Sequence, residues 1–196
     1  MKQICVYLAG NIGHEKIHVE QAETLGRLMA TERIGLIYGG ARVGLMGVLA
    51  DSVLTHGGVV TGVIPRHLEY RDVAHERLTQ MHVVDTMHER KYKMQSLADA
   101  SLALPGGFGT IEEIFEALTW AQIELHEKPC VFLNSAGYYD YLFKFLDHAV
   151  SQGLLRVKNR ALVLQAPTAE SALQIIREAW AEKEKDLIQT LRAYRR

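Results

Sequence analysis

The sequence is short of every feature that would take the chain out of water or bind it to a polyanion. No apolar run approaches the roughly 20 residues of a membrane span. Net charge is −1 over 196 residues, so there is no basic field for general nucleic-acid or membrane-surface binding. The start, Met1 to Gln3 and then Ile4 to Ala9, is too short for a signal-peptide core and runs at once into Asn11, His14 and Glu15. Only two cysteines occur. Cys5 and Cys130 each sit in a strand-like run, where a buried thiol is expected and a structural disulfide is not. Repeats, low-complexity segments and linkers are lacking as well. These absences predict a cytoplasmic protein with a single domain over residues 1–196 and no nucleic-acid or membrane partner. The 48% apolar and 23% charged residues are those of an ordinary globular chain, long enough to bury a real core.

Short buried-strand patterns alternate with helical ones. Residues 4–9, 35–38, 58–64, 78–84, 99–104, 130–133 and 161–165 read as strands. Helical spacing is read over 17–31, from Leu45 through Leu49 and Val53, from Asp85 or Thr86 to about Ala98, over 111–125, over 138–152 and over 169–194. Met87, Met94, Leu97 and Ala98 are the expected core face of the helix that begins near Thr86. Residues 66–77 are polar and irregular, a loop of the length that often carries function. Such alternation predicts an α/β fold, a doubly wound parallel sheet flanked by helices.

Pro105-Gly106-Gly107-Phe108-Gly109-Thr110-Ile111-Glu112-Glu113 joins a strand to a helix, where open α/β sheets bind ligands. Its glycines are expected to allow positive φ and close approach to a ligand. The helix N-terminus suits an anion such as phosphate. The same residues also spell a capping box, with Thr110 as cap and Glu113 reaching back. A second glycine-rich turn, Gly39-Gly40-Ala41-Arg42-Val43-Gly44, follows the second strand, so both loops fall at the carboxyl edge of one sheet. Gly10-Asn11-Ile12-Gly13 is only half of a dinucleotide fingerprint, and its spacing does not suit a dinucleotide oxidoreductase.

Three further patterns need weighing. His14-Glu15-Lys16-Ile17-His18 spells a zinc-helix motif but sits at a strand-to-helix loop, where a polar first helical turn accounts for it; no metal is assigned. Arg90 and Lys91 lie near a helix N-terminus, where cations oppose the dipole, which suggests that they answer an outside anion. No lysine is singled out to hold a cofactor, and no cofactor is assigned.

Three blocks together carry a resemblance: Tyr38 to Ala41 with Gly44-Leu45-Met46, Met87-His88-Glu89-Arg90-Lys91, and the complete Pro-Gly-Gly-x-Gly-Thr-x-x-Glu pattern at 105–113. They resemble the Lonely Guy family of cytokinin-activating nucleotide phosphoribohydrolases, long misannotated as lysine decarboxylases. The resemblance runs from Ile4 to about Gln165. It implies a homodimeric Rossmann-like fold that hydrolyses a nucleoside 5′-monophosphate to free base and ribose 5-phosphate. It assigns catalysis to Arg90 and Glu113, and phosphate and ribose contacts to Gly106, Gly107, Gly109 and Thr110. Lys91, Glu112 and Thr119 are placed near the substrate. The implied binding set also takes in Phe108, Ile111, Gly39 and Gly40. Asp72 stands where many relatives carry a base-contacting Glu. Leu8-Ala9-Gly10-Asn11 replaces their usual Cys-Gly-Ser-Ser, which bears on substrate preference.

The chemistry agrees with the residue types. N-glycosidic cleavage passes through an oxocarbenium-like state, which a carboxylate beside the sugar stabilises, or for which it activates water. Glu112 competes with Glu113, since adjacent helix residues point about 100° apart and only one can aim at the sugar; the resemblance gives the role to Glu113. Arginine does not donate a proton at neutral pH, so Arg90 is expected to hold Glu113 or the nucleotide by paired hydrogen bonds. The competing class is a non-catalytic nucleotide or molybdenum-cofactor carrier of similar fold. The apolar helix over 111–125 is a candidate dimer face.

Overall fold

A computed structural model describes residues 1–68 and 74–194, with side chains through residue 186. Asp72 lies outside the described residues. In chain order the elements are β1 (Gln3–Tyr7), α1 (Lys16–Thr31), β2 (Gly35–Tyr38), α2 (Gly44–Thr55), β3 (Val60–Pro65), the single turn α3 (Arg66–Leu68), β4 (Gln80–Val84) and α4 (Met87–Leu97). There follow β5 (Ala100–Ala103), α5 (Phe108–Gln122), β6 (Cys130–Leu133), a 3-10 turn (Ser135–Gly137), α6 (Asp140–Ser151), α7 (Val157–Arg160), β7 (Val163–Ala166) and α8 (Ala169–Tyr194).

The seven strands form one sheet in the order β4-β3-β2-β1-β5-β6-β7, and every pairing is parallel. This is the predicted doubly wound sheet. Period-two alternation along each strand divides the core between its faces. Ile4, Val6, Leu36, Tyr38, Leu102 and Val131 pack with residues of α1, α2 and α8 on one face. Cys5, Tyr7, Ile37, Ala103 and Phe132 pack with residues of α4, α5 and α6 on the other. Both central strands are fully covered, which is why they read as continuous apolar runs.

The chain leaves β1 toward one face and β5 toward the other, so the strand order reverses between them. A crevice opens there at the carboxyl edge. The Ala9 N–H donates to the Pro105 carbonyl (3.3 Å) and the Leu104 N–H to the Tyr7 carbonyl (2.9 Å), which ties the two loops at its floor.

Several expectations need correction. The α5 helix ends at Gln122, and Glu124 beyond it takes φ 64°, so Leu125 is off the helix and 66% exposed. Met87, the first residue of α4, is 41% exposed rather than core, whereas Met94 is fully buried. The helix read from residue 138 begins at Asp140, because Ser135–Gly137 forms a 3-10 turn with Ala136 at φ 52°. Cys5 and Cys130 are free, buried thiols, and burial raises both pKa values.

Candidate active site

The loop after β5 builds one wall of the crevice. Its helix begins at Phe108, with Gly107 as cap residue and no side-chain cap. The expected Thr110–Glu113 capping box is therefore absent: Thr110 is the third helical residue and buried, and the Glu113 side chain turns to Arg90. A capping box does form at the start of α4, between Thr86 and Glu89. The first N–H of α5 to bond backward is that of Ile111, onto the Gly107 carbonyl (3.0 Å). The N–H groups of Phe108, Gly109 and Thr110 thus have no intrahelical partner, and the positive end of the dipole lies with them.

The glycines of this loop serve space rather than unusual dihedrals. Neither Gly106, Gly107 nor Gly109 takes a positive φ, against expectation. A Cβ on Gly106 would sit 2.0 Å from Thr110 Oγ1 and 2.6 Å from Thr110 Cβ. One on Gly107 or Gly109 would meet nothing within 4 Å, so both leave the approach to the free N–H groups open. The Tyr138 hydroxyl donates to the Gly106 carbonyl (2.8 Å) and that of Tyr139 to the Leu104 carbonyl (2.6 Å), fixing the loop from beneath. In the other glycine turn, Gly40 and Gly44 do adopt left-handed φ values of 77° and 58°. Gly44 also lies against the Gly10 backbone, where a Cβ would come within 2.2 Å.

Arg90, in the first turn of α4, reaches over the sheet edge. Its Nε donates to the Val63 carbonyl (3.1 Å) and its Nη1 to Glu113 Oε1 (2.7 Å). The two side chains are 12% and 10% exposed. Burial raises the Glu113 pKa, and the nearby Arg90 charge only partly offsets this. The third edge of the guanidinium faces Gly39, where a Cβ would lie 2.2 Å from Nη2.

Lys91 turns the other way. Its Nζ donates to Glu116 Oε2 (2.5 Å) and to Glu112 Oε1. Desolvation disfavours the Lys91 charge, but these carboxylates outweigh it and the pKa is raised. Arg90 and Lys91 therefore answer acids on α5. A 340 Å³ cavity is lined by residues 6–11, Gly39, Met46, Arg90, Gly107, Gly109, Thr110 and Glu113. Gly106 packs against Thr110 without lining it, and Gly40, which packs against Met81 and Ile64, does not line it either. Ile111 is half-buried, and Phe108 is 96% exposed at the rim. Thr119, nine residues beyond Thr110 and so roughly 13 Å along the helix, is exposed and bonds back to the Phe115 carbonyl (2.7 Å). Lys91, Glu112 and Thr119 do not line the cavity.

The two histidines of the zinc-helix pattern are kept apart, since α1 starts at Lys16 and His14 precedes it. His18 is buried, with Nδ1 3.0 Å from Ser135 Oγ and its ring edge-on to Tyr138 (5.6 Å). It packs beneath the tyrosine that holds Gly106. Among the described residues no group of three or more His, Cys, Asp or Glu is placed to hold a metal. Among them, too, no helix is long and apolar enough to cross a membrane.

Residue-by-residue reading missed Tyr7 and Met46 as cavity walls. The available signal was topological: Tyr7 is the last residue of the strand at the reversal point, and Met46 lies in the first turn of the helix after the second glycine turn.

This chain is 44% identical over 177 residues, 90% of it and 89% of the relative, to a cytokinin riboside 5′-monophosphate phosphoribohydrolase of Rhodococcoides fascians. It is 40% identical over 187 residues to the enzyme of that name, LOG, from Oryza sativa subsp. japonica, covering 95% of this chain and 77% of that one. Among solved structures, a molybdenum cofactor carrier protein from Chlamydomonas reinhardtii superposes with a TM-score of 0.70 over 92% of this chain and 98% of its own. At 23% identity that likeness shows a shared fold. A family profile described as "Possible lysine decarboxylase" matches residues 46–176, and with these relatives it establishes that the chain belongs to the Lonely Guy family.

Proposed function

We propose that this protein hydrolyses the N-glycosidic bond of an adenosine 5′-monophosphate, plain or N6-prenylated. Water adds across the bond between the anomeric carbon and the base nitrogen; the hydroxyl stays on ribose 5-phosphate and the proton leaves with the base. The observation that carries this reading is the buried Arg90–Glu113 pair at the inner end of a cavity whose outer end is a glycine-lined helix N-terminus. The relatives' names point to the same reaction.

In this reading the phosphate is held by the free N–H groups of Phe108, Gly109 and Thr110, with Gly107 and Gly109 leaving room for its oxygens. The ribose then lies deeper, against Glu113. The carboxylate stabilises positive charge developing on the sugar or takes a proton from the attacking water. Arg90, fixed at both Nε and Nη1, holds that carboxylate in one orientation. Its charge also keeps part of the buried acid ionised. Leu8, Ala9, Gly10, Asn11 and Met46 form the wall left for the base, and Asp72 belongs to the same proposed binding set. The protein acts as a cytoplasmic homodimer, with the exposed Phe108, Ile123 and Leu125 near α5 supplying apolar surface for pairing.

The test is release of free base and ribose 5-phosphate from AMP and from isopentenyladenosine monophosphate, with the matched nucleosides as controls for the phosphate. Glu113→Gln should lower kcat at least a hundredfold. Tight binding of a nucleotide with no turnover, unchanged by Glu113→Gln, would replace the enzyme with a carrier. Light scattering of the eluting peak checks the dimer.

A further inference from the structure

Behind the Arg90–Glu113 pair runs a buried polar chain that the proposed reaction does not use. Gln95 of α4 is 4% exposed and Ser101 of β5 fully buried. Tyr7 Oη lies 3.2 Å and Ser101 Oγ 3.0 Å from one end of the Gln95 amide. The other end lies 3.0 Å from His126 Nε2. His126 Nδ1 accepts the Lys128 backbone N–H (3.1 Å), and Lys128 Nζ donates to the Gln95 carbonyl (2.6 Å). Residues from β1, α4, β5 and the segment after α5 thus meet at one amide.

Proton bookkeeping orients the chain. Burial lowers the His126 pKa, and the Lys128 and Lys183 charges lower it further against the Ala117 carbonyl, so the ring is neutral near pH 7. A neutral imidazole carries one proton. With Nδ1 accepting from Lys128, that proton sits on Nε2. As placed, the Gln95 amide points Nε2 at His126 and Oε1 at Tyr7 and Ser101; a proton on His126 Nε2 calls for the reversed amide, with the oxygen facing the ring, because an amide nitrogen there would oppose donor to donor. The Gln95 NH₂ group turns to the other end and donates to the hydroxyls of Tyr7 and Ser101. Tyr7 accepts there, so its own proton is given to another acceptor; the Cys5 thiol and the Ser101 hydroxyl share hydrogen bonds with it and compete with Glu113 for that proton.

Tyr7 lines the 340 Å³ cavity. It also lines a small pocket of about 10 Å³, bounded by Glu113, Lys91, Gln95 and Glu116. That is about the space of one water molecule. The groups facing Glu113 are Arg90 and Lys91 from α4 and Glu112 from its own helix. From β1 the Tyr7 ring and the Cys5 thiol lie within reach of its charge.

We propose that Tyr7 is a positioning residue for Glu113: its hydroxyl, turned by the Gln95–His126 pair, donates across the small pocket to the carboxylate, directly or through one water. The reading rests on Glu113 being the reacting acid, but the contact is measurable without turnover. A donated hydrogen bond stabilises the carboxylate form. Tyr7→Phe removes the donor and also leaves the Gln95 amide with Ser101 alone at that end; the Glu113 pKa rises by about one unit, the tenfold expected from one hydrogen bond to a charged group.

The experiment is a carbon-13 NMR titration of glutamate-labelled protein, full chain, with Glu113→Gln assigning the resonance. It is run on wild type, Tyr7→Phe and Gln95→Leu, beside the pH profile of kcat/KM for AMP. An upward shift of the Glu113 titration in both variants, with the acid limb of the profile moving equally and KM within about twofold, supports the proposal. A Glu113 titration unchanged in Tyr7→Phe overturns it, whatever the rates do. A shift in Tyr7→Phe alone overturns the orienting role of Gln95 and His126. Wild-type protein that releases no base from any monophosphate sinks the proposed reaction instead, and the NMR comparison still decides the Tyr7 contact.

Discussion

Replacing Gly39 by alanine should damage catalysis by displacing Arg90, with Arg90 and Glu113 themselves unaltered. The added methyl would stand 2.2 Å from Arg90 Nη2 and 3.5 Å from Met46 Sδ. Ordinary contact begins near 3.4 Å, so the nitrogen must retreat by about 1.2 Å. A solvated arginine would swing aside at little cost, but this one is anchored at Nε by the Val63 carbonyl and at Nη1 by Glu113. A retreat of that size stretches the 2.7 Å bond to Glu113 beyond hydrogen-bonding range. A hydrogen bond to a charged group is worth about 1.5–3 kcal/mol, which is a loss of roughly 10- to 150-fold in kcat if the pair acts in the transition state. Gly109→Ala is the matched control, since its methyl enters space free of protein atoms that the proposal gives to the phosphate. Steady-state release of base from AMP should show Gly39→Ala lowering kcat with KM nearly kept. Gly109→Ala should raise KM for AMP about tenfold or more, with the melting temperature unchanged. Wild-type kcat in a folded Gly39→Ala protein would refute the claim that Arg90 must be held where it is.

The acid limb of kcat/KM should lie above the ordinary glutamate value of 4.5, because burial favours the neutral carboxyl of Glu113 and the ionised form is the active one. Arg90→Met removes the opposing cation and should move that limb higher still; a limb that stays put would show that the pair is not coupled. Lys91→Ala releases Glu112 and Glu116; Glu112 is 54% exposed and screened, whereas Lys91 at 11% and Glu116 at 26% are less so, and the loss should be about 1–2 kcal/mol. Urea midpoints should register it, shrinking in high salt, while KM for AMP stays within about twofold. Gly106→Ala forces a methyl against Thr110 Cβ, an atom fixed by the helix, and should cost about 1–3 kcal/mol. That appears in calorimetry as a fall in Tm of several degrees.

Much of the sheet is legible in the sequence, because β1, β2, β5 and β6 are covered on both faces and so appear as unbroken apolar runs such as Ile4 to Tyr7. Helix α7, Val157–Arg160, is too short to show a period in the sequence. The glycine turns and the carboxyl edge were legible as places. What each glycine does there was not: Gly106 and Gly39 are small because of Thr110 and Arg90, neighbours that only the fold supplies. Thr110 and Glu113 match the capping pattern, yet the helix starts at Phe108, so Thr110 lies inside it and Glu113 pairs with a buried guanidinium 23 residues away in sequence. Lys91 and Thr119 show the reverse. The resemblance places both near substrate, while local partners on α5 hold one and exposure on the far turns of that helix places the other.

The cavity draws its walls from stretches on both sides of β1, and none of them encloses anything until that strand has joined β2 and β5. A half-assembled chain, however helical, is chemically silent. In refolding from denaturant, the return of turnover should therefore act as a clock for closure of the middle of the sheet, and it should lag behind any spectroscopic signal for the outer helices.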